Sequence, residues 1–104
     1  MLVVTRFRSE DEVAFRAEAE AVADLLRSRP GCLEVVLGRN IDEPDLWTLT
    51  SRWRDVGSYR RGIGSYEVKL HGVPFLSRAL DEPSAYEVVE PGADLNVAGT
   101  RGLG

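Results

Sequence analysis

Pro30-Gly31-Cys32-Leu33-Glu34-Val35-Val36-Leu37-Gly38-Arg39, then Asn40-Ile41-Asp42-Glu43-Pro44-Asp45, then Leu46-Trp47-Thr48-Leu49-Thr50-Ser51-Arg52-Trp53 is the stretch that decides the fold. Pro30 cannot continue a helix and Gly31 accepts the backbone angles of a tight reversal. Cys32 to Arg39 then reads as a strand with Leu33, Val35 and Leu37 on one face. The Asn/Asp/Glu/Pro cluster at 40–45 is a turn between two strand-like runs, which predicts a hairpin. Leu46 to Trp53 is its second arm, with Trp47, Leu49, Ser51 and Trp53 alternating against Leu46, Thr48, Thr50 and Arg52.

Upstream, Leu2 to Arg8 is β-branched and apolar, a first strand. Ser9 with Glu12 three residues on has the form of a capping box opening a helix. Within that helix Phe15, Ala19, Val22 and Leu26 recur at helical spacing. Downstream the pattern breaks up. Asp55 to Arg61, Tyr66 to His71 and Phe75 to Leu80 read as helical pieces, interrupted by Gly57, Gly62, Gly64, Gly72 and Pro74. Ser84 to Glu90 is a last strand. The order strand, helix, strand, strand, broken helix, strand is the ferredoxin-like βαββαβ pattern of an α+β fold, an antiparallel sheet with helices on one face. The other face is left bare and carries apolar weight, Trp47, Leu49 and Trp53 or their alternates, so a homodimer packed through the sheet face is expected. The division is a domain over 1–90 and a Gly-rich, flexible tail over 91–104.

The 104 residues hold one domain, and a chain of this size buries roughly 60–65% of its unfolded surface, enough for one core. No apolar run reaches the 18 or so residues a bilayer demands, and Met1 to Arg6 has no basic region ahead of an apolar one. The single cysteine, Cys32, cannot close an internal disulfide, and cytoplasm is the expected compartment. A net charge of −4 argues against nucleic acid as a partner. One His and one Cys make a zinc site within a chain untenable, and Asp42, Glu43 and Asp45 read as an acidic hairpin loop.

The ordered set Arg29-Pro30-Gly31-Cys32-Leu33-Glu34-Val35, Arg39, Asp42-Glu43-Pro44 and Trp47 to Trp53 resembles the antibiotic biosynthesis monooxygenase (ABM) family. The first helix and Tyr86-Glu87-Val88 agree with it. The resemblance implies a dimeric α+β barrel with a pocket between sheet and helices in each subunit. Some members oxidise polycyclic phenols with dioxygen and no metal, flavin or haem, so no cofactor is expected, and the partners are a small aromatic molecule and dioxygen. On that reading the chain is a cofactor-independent monooxygenase acting on an aromatic or quinol-type molecule. The alternative is a non-catalytic binding or stress-associated module of the same fold. Haem degradation ranks third: that branch pairs a strand-one Asn with a Trp and a His, whereas here strand one offers Thr5 and Arg6, and only His71 falls near its expected place.

His71 is the one side chain whose ordinary pKa suits proton transfer near neutrality, and is the candidate base. Its competing role is a helix end meeting terminal carbonyls. Trp53, Tyr59, Tyr66 and Phe75 cluster around the broken helix as candidate substrate-binding residues that would sandwich a planar ring. Equally, aromatics under an irregular helix form core. The glycines between them would either loosen a gate or fit the chain around a barrel edge.

Overall fold

A computed structural model describes residues 1–95. The elements run β1 (Leu2–Arg8), α1 (Glu12–Arg27), β2 (Cys32–Arg39), β3 (Leu46–Trp53), α2 (Val56–Gly64), α3 (Tyr66–His71), α4 (Val73–Leu76) and β4 (Ala85–Tyr86). The strands make one antiparallel sheet in the order β2-β3-β1-β4. This is the α+β, ferredoxin-like arrangement expected, and the first three strands have the bounds that the sequence indicates.

Three local readings are corrected. The cap of α1 is Asp11, whose carboxylate accepts the Ala14 N–H at 3.0 Å, and not Ser9. Aspartate at this position meets an N–H that the helix cannot. Leu33 does not share a face with Val35, because the β2–β3 register shifts between Cys32 and Glu34. A bulge inserts one residue and turns it outward, and Leu33 is accordingly exposed while Val35 is buried. The last strand shrinks from Ser84–Glu90 to two residues.

Gly31 explains how the chain turns from α1 into β2. Its φ is +85°, and a Cβ there would stand 2.4 Å from the Ser58 side chain. Glycine therefore meets both a left-handed backbone and a close approach to α2. That contact fixes the start of α2 against the end of α1.

Register places Val3, Thr5 and Phe7 of β1, Trp47, Leu49 and Ser51 of β3, and Val35 and Leu37 of β2 on one face. Upon it lies the buried stripe of α1, Phe15, Ala19, Val22, Ala23 and Leu26. Phe7, Phe15, Trp47 and Phe75 form a ring cluster with centroids 4.7–5.6 Å apart, each burial contributing roughly 1.5–3 kcal/mol. The bare face is built from the alternates: Val4, Arg6, Val36, Thr48, Thr50 and Arg52. Trp47, Leu49 and Trp53 are under the helices instead, buried to 3% exposure or less.

Of the segment read as a tail, Gly92 sits in a turn at φ +78°, and residues 96–104 lie outside the described residues. Among the described residues no helix is long and apolar enough to cross a membrane.

Candidate functional site

A cavity of about 550 Å³ opens between the sheet and the broken helical region. Its floor is Val3 and Thr5 of β1 with Leu49, Ser51 and Trp53 of β3. Tyr59 and Ile63 of α2 and Val73 and Leu76 of α4 make its sides, and the 79–84 segment forms its mouth. The volume is that of a pocket for a drug-sized molecule, and the lining is mainly apolar with a few hydroxyls.

Trp53 organises the inner end. It is 1% exposed, stands edge-to-face to Tyr59 with centroids 5.7 Å apart, and donates its indole Nε1–H to Ser51 Oγ at 2.9 Å. A buried indole N–H needs such a partner. Gly62 lets α2 lie on that ring: a Cβ there would come within 2.8–2.9 Å of the Trp53 six-membered ring. This glycine is thus a packing site, as the fitted-chain reading of the glycines has it. Asp55 caps α2 by accepting the Ser58 N–H at 2.7 Å. The bonds from Ser58 hold the Asp55 carboxyl below the usual carboxylate range. Tyr59, the next residue, is thereby fixed over the cavity. Partial burial pushes its phenol up, so it is neutral and can donate through the physiological range.

The five residues singled out from the sequence do not share this cavity. Trp53 and Tyr59 line it. Phe75 is core, its ring 4.7 Å from Phe7 and 5.3 Å from Phe15. Tyr66 is 77% exposed, because α3 buries Val68 and a residue two positions earlier points to the opposite side of a helix. His71 closes α3 and borders a separate groove with Glu18, Leu25, Pro74 and Arg78. The expectation that all five frame one cavity is therefore corrected. The breaks at Ser65, in extended backbone, and at Gly72 re-aim the helical pieces so that α2 and α4 line the cavity and α3 does not.

What sequence reading missed is the mouth and the floor's polar point. Among the described residues, Asp81 and Glu82 are the carboxylates of the lining, and no Lys, Arg or His lines it with them. Glu82 is gripped by Arg6 through two bonds of 2.7 and 2.6 Å, which holds its carboxyl low. Asp81 has no ion-pair partner among the described residues. The signal for Ser51 was present, as the lone polar residue in the inward series Trp47, Leu49, Ser51, Trp53. Among the described residues no group of three or more His, Cys, Asp and Glu is placed to hold a metal ion.

The model of the antibiotic biosynthesis monooxygenase (ABM) family matches residues 1–61, more than half of the chain, and the chain belongs to that family. Among solved structures it is similar to SnoaB, a cofactor-independent oxygenase from Streptomyces nogalater. Their TM-score is 0.70 and identity 18%, over 88% of this chain and 96% of that one. Rv0793 from Mycobacterium tuberculosis matches at TM-score 0.62 and 24% identity, over 93% and 96% of the two chains. A conserved protein from Methanosarcina mazei Go1 matches at 0.65 and 23%, over 81% and 84%. At these identities the likeness is one of fold. No curated protein matches the sequence.

Proposed function

We propose that the chain is a cofactor-independent monooxygenase that oxidises an uncharged aromatic or quinol-type molecule with dioxygen in the cavity bounded by Trp53 and Tyr59. The observation that carries this reading is the cavity itself, an apolar slot of about 550 Å³ with one edge-packed pair of aromatic rings and hydroxyl groups at its floor. SnoaB is a cofactor-independent oxygenase, and the fold it shares with this chain, together with this chain's own ABM membership, supports the same class of chemistry here. An activated CH₂ between aromatic rings becomes C=O: one oxygen atom stays, the other leaves as water, and the substrate supplies all four electrons. The protein's part is to orient the substrate, accept its proton and stabilise the resulting anion. Asp81, the lining carboxylate without a cation partner, is the group the geometry offers as proton acceptor in place of His71. With the Glu82 charge met by Arg6, the Asp81 carboxylate leaves the mouth negative and disfavours a carboxylated substrate.

Oxygen uptake with a panel of anthrones and naphthols in chelator-treated buffer tests this. Wild type should consume one dioxygen per anthrone. Asp81→Asn should slow it about 100-fold or more, the usual scale for a lost general base, and His71→Ala should leave it within about twofold. No uptake across the panel overturns the proposal. The lining, lacking His and Lys, also suits a non-catalytic binding module. A panel member that raises Tm without being consumed would select that reading.

A homodimer through the bare sheet face is part of the same proposal. It is supported by the uncharged β-branched row Val36–Thr50–Val4 running across that face in register.

A further inference from the structure

Ser51 sits in the middle of the cavity floor, with Val3 of β1 and Val35 of β2 as its register partners. It is 5% exposed, one of two buried polar residues among those described. Its oxygen accepts the Trp53 indole N–H at 2.9 Å. A serine hydroxyl also carries a proton of its own, and none of the described residues accepts it. Of the other lining hydroxyls, Thr5 donates to the Leu49 carbonyl and Ser77 to the Pro74 carbonyl, each at 2.9 Å, while Tyr59 and Ser84 stand off the floor, on α2 and at the mouth. Within the floor, the Ser51 proton is the donor left over.

Two pieces of physics give that leftover a direction. A hydroxyl that accepts a hydrogen bond becomes a stronger donor, since the two bonds polarise one another. A donor left unmet in an apolar site costs about 1–3 kcal/mol, so an occupant with an acceptor oxygen at this point is favoured over one without. The Trp53–Ser51 pair is also held rigidly, on a central strand and under α2, so it needs no rearrangement to meet negative charge.

We propose that Ser51, polarised by the Trp53 indole, is the hydrogen-bond donor that receives the hydroxyl or carbonyl oxygen of the aromatic substrate and stabilises that oxygen as it becomes an anion. The inference rests on the reading of the cavity as an aromatic-oxidation site and adds to it the polar anchor. It defines the ligand as a ring system bearing an oxygen directly on it, hydroxyarene or enolisable ketone, rather than a plain arene.

Binding is measured under argon, so that turnover plays no part, with 1-naphthol and naphthalene as a matched pair. Ser51→Ala should weaken 1-naphthol about 3- to 12-fold, the range of one hydrogen bond, and leave naphthalene within about twofold. The naphtholate absorption band of bound 1-naphthol should appear at higher pH in the variant than in wild type, a readout that loss of packing alone would not move. Should Ser51→Ala fold poorly, Ser51→Cys keeps the volume with a weaker donor, and should give an intermediate loss with the same selectivity. Equal losses for both ligands, or an unshifted naphtholate band, overturn the role of Ser51. Wild-type protein that binds neither ligand overturns the aromatic-site reading and this one with it, whereas binding indifferent to Ser51 overturns this one alone.

Discussion

At the scale of single residues, the site is held by side chains whose roles depend on what lies above them. Trp53 and Tyr59 were legible because large aromatics flanking a strand-to-helix junction have few places to go. Ser51 was half legible, as the polar member of the inward series Trp47, Leu49, Ser51, Trp53, but not its place on a cavity floor. Asp81 was not legible: before a Glu-Pro pair it reads as a turn, and only the fold sets this exposed carboxylate at the cavity mouth. Gly31 was legible as a turn, but its second duty was hidden, since nothing in the sequence brings Ser58 to it. That duty makes it testable. Alanine there adopts φ +85° and drives its Cβ to 2.4 Å from Ser58. The backbone alone costs roughly 1–2 kcal/mol, and the clash adds to it. Gly31→Ala should therefore lower Tm by about 8 °C or more, as followed by circular dichroism. An unchanged Tm would mean that α2 is not pinned to the 30–31 turn.

Among the elements, β1, α1 and β3 were legible because each has a clean period, two or 3.6, over seven or more residues, and β2, whose alternation a bulge interrupts, because Pro30-Gly31 and the 40–45 turn bound it. The last strand was not, and its loss shapes the cavity mouth. Leu80 N–H donates to the Arg6 carbonyl at 2.8 Å and Val4 N–H to the Ser84 carbonyl at 2.7 Å. Between these two anchors Asp81, Glu82 and Pro83 leave the sheet edge. What ties them back is Arg6, gripping Glu82 from 76 residues away, a pairing no local pattern announces. The Arg6 bond and charge lower the Glu82 carboxyl below the 4.5 of a free glutamate, and Arg6 is raised in turn. A lowered folded pKa means that the pair stabilises the fold above the unfolded value and that this contribution is lost as pH falls through the folded one. In Tm measured from about pH 6 down to about pH 3, wild type should lose stability faster than Glu82→Gln, the two curves converging at the acid end. Parallel curves would show that the ion pair does not hold the mouth segment.

For the whole molecule, the cavity lies on one side of the sheet, and none of the described helices covers the other. The sequence predicts an uncovered face but leaves open whether Trp47, Leu49 and Trp53 or their alternates form it, because alternation gives two sets of side chains without saying which set the helices cover. The answer depends on α1, whose apolar stripe meets Trp47 and Leu49 and so turns Thr48, Thr50 and Arg52 outward. The outward set is milder than the tryptophans would have been, with Val4, Thr50 and Val36 in one row. Glu34 and Arg52 beside it approach to 3.8 Å across β2 and β3. A face of this kind suits a two-fold contact, in which each copy presents the same row to the other. The proposed dimer therefore has a specific point of failure. Thr50 lies on β3 between Val4 and Val36, and Thr50→Lys would place two ammonium groups near the axis with no carboxylate in that row to meet them. Sedimentation equilibrium at micromolar concentration should give twice the 11.5 kDa chain mass for wild type and the single mass for Thr50→Lys, with unchanged far-ultraviolet circular dichroism. A wild-type monomer would remove the dimer from the proposal. A Thr50→Lys variant that stays dimeric would move the contact off this face, leaving the bare sheet to some other cover.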